Sequence, residues 1–207
     1  MSETRAITSK NFVARRVRRN FSIREKSKNS LQIAILSDTH GFLDQNVAQV
    51  VSSCDIAVHA GDVGGLSVLQ NLGPRKKIVL AVRGNNDIPT KWPKTEAKAL
   101  SQMPLEATLD LPGGRLVVTH GDRAGAPKRR HERLRKTFPG ARMIVYGHSH
   151  RLVCDFDQIP WVVNPGSAGR ARTFGGPSCL VLTAGKKKWR LRRIRFAATR
   201  SQDGSRS

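Results

Sequence analysis

The first half of the chain is paced by short apolar runs, each ending in a polar cluster flanked by glycine. Leu31–Leu36 is apolar at every position but Gln32, the pattern of a strand buried on both faces. It runs into Ser37-Asp38-Thr39-His40-Gly41, after which Val47, Val50 and Val51 share one face of a helix expected over Asp44–Ser52. Residues 55–60 read as the next strand and end at Gly61-Asp62. Leu66–Leu72 reads as a helix stopped by Gly73-Pro74, and Lys77–Val82 as a third strand ending at Gly84-Asn85. Strand, polar loop, helix, strand is the βαβ rhythm of a mainly parallel sheet.

The second half changes character. Glu106–Leu111 and Arg115–Thr119 read as a hairpin, with Gly113 and Gly114 supplying positive φ at the turn. A basic helix is expected near Pro127–Phe138, then a strand over Arg142–Tyr146 that delivers Gly147-His148-Ser149-His150. Further strands are expected at 151–156, 161–163, 178–184 and 187–196. In the last, the alternation of apolar and basic positions slips at Arg192-Arg193, which predicts a bulge or a change of register. No internal repeat is present. This order predicts an α/β fold of two sheets packed face to face with helices outside. Regular structure is expected to begin at Leu31. One domain, 29–196, then lies between a basic, disordered N-terminal tail at 1–28 and a short C-terminal tail at 197–207.

At 207 residues the chain is long enough for one domain with a substantial core. Its formal net charge is +22, of which residues 1–30 hold +7 and residues 185–207 hold +8. Such ends favour anionic partners, nucleic acid without sequence preference among them, and they also serve simply as solvated tails. Cys54, Cys154 and Cys179 are odd in number and widely spaced, which points to isolated core residues in a reducing, cytoplasmic setting rather than a disulfide framework. No apolar stretch approaches the roughly 18–20 residues a bilayer requires. The Arg-rich N-terminus is compatible with an organellar transit peptide, against which Glu3 and Glu25 weigh; a start codon called too early would account for it equally. The sequence is compatible with an oligomer and does not require one.

The chemistry gathers at the ends of the predicted strands. Asp38, Asp62, Asn85 and four of the six histidines, His40, His120, His148 and His150, all fall in such glycine-flanked clusters. In α/β sheets, ligands collect outside the carboxyl ends of the strands. The spacing Asp38-x-His40 and His148-x-His150 lets both members of each pair point to one side of an extended backbone. Mixed carboxylate, amide and imidazole donors without thiolate suit divalent ions. Two such ions are expected; the donors themselves give little reason to choose among Mn²⁺, Ni²⁺, Fe²⁺, Zn²⁺, Co²⁺ and Mg²⁺, of which Mn²⁺ is taken foremost.

Taken in order, Ser37-Asp38-Thr39-His40, Gly61-Asp62, Gly84-Asn85-x-Asp87, Thr119-His120-Gly121, Gly147-His148-Ser149-His150 and Asn164-Pro165-Gly166-Ser167 resemble the calcineurin-like metallophosphoesterases. The resemblance runs from about Leu31 to Phe196 and is greatest to their small single-domain phosphodiesterase branch, which also contains the metal-poor scaffold subunit of the retromer complex. It implies a four-layer αββα sandwich. One ion would be held by Asp38, His40 and His150, the other by Asn85, His120 and His148, with Asp62 bridging. It also implies in-line attack by a metal-bridging hydroxide on a small organic or nucleotide-type phosphate ester, with Asp62, Asn85 and Asn86 as catalytic residues. Many members of the wider family carry His where this chain has Asn86, and Asn cannot give up a proton near neutral pH.

Other residues carry weaker readings. His59 is expected to be packed or to support a ligand, and His131 to be solvated. Arg83 is placed to reach a phosphate or to make a surface ion pair. Asp87 would orient a ligand or complete an Asx turn. The segment 164–167 reads as a loop whose geometry shapes the pocket rim, and Trp92, Trp161 and Trp189 as core or rim packing. Two readings of another class remain: a non-catalytic scaffold on the same fold, and a nucleic-acid-binding protein or nuclease using its basic ends.

Overall fold

A computed structural model describes residues 20–22, 30–170 and 172–198. The architecture is α/β: two mixed sheets packed face to face, with helices on both outer faces. The first sheet has the order β11-β10-β2-β3-β4, from Trp189–Arg195, Ser178–Ala184, Leu31–Leu36, Ile56–His59 and Ile78–Ala81. The second has the order β1-β5-β6-β7-β9-β8, from Asn20–Ser22, Glu106–Leu111, Gly114–Thr119, Met143–Val145, Trp161–Pro165 and Leu152–Asp155.

Alternation along each strand builds the layers. In β2, Leu31, Ile33 and Ile35 point into the core between the sheets, while Ala34 and Leu36 point outward under the helices. The central core closes with Val58, Leu80, Leu109, Leu116, Met143, Val163, Leu180 and Leu182. Helix α1 (Gln45–Ser52) covers the outer face with Val47 and Val51, and its N-terminus is capped by Asp44, which accepts from the N–H groups of Asn46 and Val47. Helices α2 (Leu66–Asn71) and α3 (Ala97–Gln102) complete that layer through Leu66, Leu69 and Leu100. On the other outer face, α4 (Arg130–Thr137) sets Leu134 against Val117, Ile144, Tyr146 and Val162.

Two expectations are corrected and one helix is added. Regular structure begins before Leu31, because the backbone of β1 pairs in parallel with β5, Asn20 opposite Thr108; the rest of the basic N-terminal segment lies outside the described residues. No bulge interrupts β11: its pairing with β10 keeps one register from Ser178↔Arg195 to Ala184↔Trp189. The slip in its pattern has another cause, because the strand is covered on both faces in turn. Trp189 and Leu191 pack into the core between the sheets, whereas Ile194 and Phe196, of opposite parity, pack under the helices. Finally, α3 has no counterpart in the sequence reading, since with only Ala99 and Leu100 buried its apolar face is too short to show a period.

Candidate metal centre

Three of the strands that deliver the site belong to one sheet and two to the other. Asp38 and His40 follow β2, Asp62 follows β3 and Asn85 follows β4; His120 follows β6, and His148 and His150 follow β7. Main-chain bonds join these loops: Asp38 N donates to Gly61 O at 3.0 Å, His40 N to Asp62 O at 3.0 Å, and Gly147 N to His120 O at 3.0 Å. The site therefore sits where the carboxyl ends of the two sheets meet.

The side chains converge by a route the sequence reading did not anticipate. Extended spacing does not align Asp38 with His40 or His148 with His150. Asp38, His40, Asp62, His148 and His150 all lie in the left-handed region, with φ of 54°, 47°, 54°, 67° and 57°. Each such non-glycine residue costs on the order of 1–3 kcal/mol, and such residues concentrate where function dictates the backbone. Tight turns, rather than strand parity, aim these groups inward.

Two half-sites result. In one, His40 Nε2 lies 3.1 Å from His150 Nε2 and 3.7 Å from Asp62 Oδ2, and His150 Nε2 lies 3.4 Å from Asp38 Oδ1. Donor atoms of Asp38, His40, Asp62 and His150 all fall within 4.8 Å of one another. In the other, Asn85 Oδ1 is 3.0 Å from both His120 Nε2 and His148 Nδ1, and His120 Nε2 is 3.4 Å from Asp62 Oδ2. Asp62 touches both. Facing imidazole nitrogens at 3.1 Å share at most one proton, and carboxylate oxygens close around them. This oxygen and nitrogen donor set fits a divalent cation. Asp38, Asp62, His120 and His150 are buried; His40 and His148 are half-buried and Asn85 is exposed, so the cluster opens to solvent along one side.

Electrostatics prepare these groups unequally. Burial alone would raise the Asp62 pKa, but the hydrogen bond and charge of His120 and two donors from Asn86 outweigh it and hold the carboxyl well below the usual range. Those donors are Asn86 N to Oδ1 at 2.8 Å and Asn86 Nδ2 to Oδ2 at 2.7 Å. Burial likewise works to lower His120, yet the hydrogen bond and charge of Asp62 raise it to about 9. Burial raises Asp38 to about 7 and lowers His40 and His148 below the ordinary imidazole value. In His120, Nδ1 faces Ala60 O at 2.9 Å, so Nδ1 carries a proton and Nε2 is the atom turned to the site.

A second layer fixes the first. His59 is buried, with Nε2 2.9 Å from Thr39 Oγ1 and Nδ1 accepting from Gly61 N at 3.2 Å; burial pushes its pKa down to about 3, and it supports the β2 and β3 loops as a neutral ring. Asp87 accepts from Val63 N at 3.1 Å, Gly64 N at 2.9 Å, Gly84 N at 2.8 Å and Trp92 Nε1 at 3.0 Å. It clamps the Asp62 loop to the Asn85 loop. Gly84 is needed there because a Cβ would overlap the Asp62 carboxylate.

One weaker reading is made specific here and another is corrected. Asn164 and Ser167, in the segment expected to shape the pocket rim, are fully buried. Asn164 Nδ2 donates to Gly147 O at 2.6 Å and Ser149 Oγ at 3.0 Å, and Ser167 Oγ donates to Asp38 O at 2.9 Å, so the segment props the ligand loops from beneath. His131 is held rather than solvated, with Nδ1 2.7 Å from Asp155 Oδ2 and Nε2 2.9 Å from Tyr146 Oη. Trp92 and Trp189 are buried, as packing requires. Two residues absent from the sequence reading stand at the site: Lys91, whose ammonium donates to Asn86 Oδ1, and Arg172, whose guanidinium donates to His150 Nε2 at 3.0 Å. Neither lies in a glycine-flanked cluster, so no local signal marks them.

Comparison with known proteins agrees with this geometry. Residues 31–187 match the calcineurin-like phosphoesterase superfamily domain, and the chain belongs to that superfamily. Its general class is that of a phosphoester hydrolase with a site suited to divalent metal. A probable metallophosphoesterase of Methanocaldococcus jannaschii is 28% identical over 147 residues, 67% of this chain and 68% of the relative. An archaeal phosphodiesterase has a similar fold, with TM-score 0.58 and 21% identity over 79% of this chain and all of that one. So does Vps29 of Entamoeba histolytica complexed with Zn²⁺, with TM-score 0.58 and 13% identity over 80% of this chain and 99% of that one. No helix among the described residues is long and apolar enough to cross a membrane.

Replacing Asp87 by Ala strands four donors at once, so urea denaturation is expected to show a loss of about 3 kcal/mol or more. A loss under about 1 kcal/mol would mean that the clamp is not structural. In the metal-free protein, Asp38 and His120 both bind protons more tightly folded than unfolded, with folded values of about 7 and about 9. The stability they contribute is therefore lost as pH rises through those values. A cation must displace the same protons, so its affinity should rise from pH 6.5 to 9 with proton release. Calorimetry in buffers of different ionisation enthalpy reads this directly; an affinity independent of pH would contradict it.

Proposed function

We propose that this chain is a two-metal phosphodiesterase acting on small organic or nucleotide-type diesters. The observation that carries the reading is the position of Asp62, whose Oδ2 lies 3.7 Å from His40 Nε2 on one side and 3.4 Å from His120 Nε2 on the other. One carboxylate serving two imidazole pockets is the geometry of a bridging ligand. Asp38, His40 and His150 would hold one ion and Asn85, His120 and His148 the second. Bound divalent ions would supply Lewis-acid activation of water and take up charge on the phosphoryl oxygens.

The chain's own residues position the rest. Asn86 turns Asp62 through two hydrogen bonds and is itself held by Lys91. Together they present an amide and an ammonium at the edge of the site where many family members place an imidazole. The amide orients but does not protonate. With an amide where an imidazole would donate a proton, diesters with acidic leaving groups are favoured.

The likeness to Vps29 supports a second reading, a scaffold on the same fold that binds protein partners instead of substrate. Against it stands the complete set of donor side chains. Mn²⁺, Ni²⁺, Fe²⁺, Zn²⁺, Co²⁺ and Mg²⁺ assayed against mono- and diesters separate the two. Metal-dependent turnover is expected on activated diesters, reduced about 10²–10³-fold in Asp62→Asn with the circular dichroism spectrum unchanged. Undiminished turnover in that variant would remove the reading. Asn86→His should raise turnover of esters with basic leaving groups by about tenfold or more and change activated esters little. An equal effect on both would contradict the role given to Asn86.

A further inference from the structure

The two flanks of the site are built differently. Beside the Asp38–His40–His150 half, three exposed arginines stand at the mouth. Arg172 donates to His150 Nε2 at 3.0 Å, Arg170 lies 3.7 Å from the centre of the Phe42 ring, and Arg151 lies 4.3 Å from the centre of the Phe174 ring. On the other flank Lys91 is bound to Asn86, Arg123 reaches its neighbour Asp122 at 4.0 Å, and Arg130 is buried near Tyr146.

None of the three has a carboxylate partner among the described residues, which is ordinary in a chain with 37 Lys and Arg against 15 Asp and Glu. Position and posture carry the argument instead. Arg151 directly follows His150. Arg170 and Arg172 follow Gly169, which lies so close to the turn holding His40 that a Cβ would come within 2.5 Å of Thr39 O and 3.0 Å of Phe42 O. Asp44 N donates to Ala168 O at 3.0 Å and fixes the same segment from behind. Arg172 and Phe174 sit at φ of 49° and 41°, a left-handed backbone that costs each about 1–3 kcal/mol. Stacking on an aromatic ring engages the face of a guanidinium and leaves its N–H edge free to donate in plane. Two such edges, from Arg151 and Arg170, together with the remaining N–H groups of Arg172, place a multidentate receptor for phosphate beside one half of the site.

We propose that Arg151, Arg170 and Arg172 form a second anion subsite that takes a phosphate other than the scissile one. The substrate is then a phosphodiester carrying an additional phosphate on the Asp38–His40–His150 side. This deepens the two-metal phosphodiesterase reading and rests on it. Two sources supply that chemistry: a nucleotide strand with a terminal phosphate, and a nucleotide linked through pyrophosphate.

The test compares dithymidine with its 5′-phosphorylated form for the first source, and thymidine 5′-phosphate 4-nitrophenyl ester with a dinucleoside pyrophosphate for the second. In at least one pair the phosphate-bearing member should show kcat/KM higher by about tenfold or more, through KM. The double substitution Arg170→Ala/Arg172→Ala should remove most of that preference, as should Arg151→Ala. Lys187→Ala/Lys188→Ala, at the β10–β11 turn on the opposite end of the sheet, should keep it. The pair that shows the preference identifies the source. No preference in either pair, or equal loss in the lysine control, would overturn the subsite.

Failure of the parent reading is separable. If no substrate is hydrolysed with any metal, calorimetric titration of the two dithymidine forms and of the pyrophosphate compound into metal-free protein still reads the subsite. Tighter binding of a phosphate-bearing compound that disappears in Arg170→Ala/Arg172→Ala supports it; equal affinities overturn it.

Discussion

The Asp62 carboxylate is the point on which the site turns, because it is the group shared by two pockets built from different sheets. Its two oxygens accept from Asn86, one of them faces His40 and His120, and its backbone is bent into the left-handed region. Gly84 leaves no Cβ where that carboxylate lies. The hydrogen-bonded partners also decide its charge. A buried carboxyl left alone would neutralise itself, and the donors around Asp62 outweigh that tendency. It is consequently an anion at neutral pH while Asp38, buried without as much support, titrates near 7.

Precision of this kind depends on what lies beneath. The two sheets interlock through a common apolar core, so loops from β2, β3 and β4 are fixed relative to those from β6 and β7. Buried polar groups then tie loop to loop: Asp87 binds the β3 turn to the β4 turn, His59 joins the β2 and β3 turns, and Asn164 with Ser167 supports the turns after β7 and β2. None of these faces solvent. The strain of five left-handed residues is distributed over this scaffold, which is how a rigid fold sustains a backbone that isolated peptides avoid.

The strands from β2 onward and three of the four helices were legible from burial that leaves a period, as in Leu31–Leu36 and in Val47 and Val51 of α1, and from the Pro and Gly that bound the helices. Membership of the superfamily was legible because its motifs are local. Other features were hidden for physical reasons. The parity slip in β11 looked like a bulge, since a sequence does not say which face of a strand a neighbouring helix covers. His131 read as solvated because its partners, Asp155 and Tyr146, are remote in sequence. Lys91 and Arg172 reach the site from segments that carry no pattern, and the convergence of Asp38 with His40 depends on positive φ, which residue spacing does not encode.

The central claim is that one carboxylate joins two cation pockets. Crystals grown from Mn²⁺-loaded protein, with anomalous difference density recorded near the manganese edge, test it most directly. The account predicts two peaks about 3.5–4 Å apart, one among Asp38, His40 and His150, the other among Asn85, His120 and His148, both in contact with Asp62. A single peak, or two peaks of which one leaves Asp62 untouched, would contradict it.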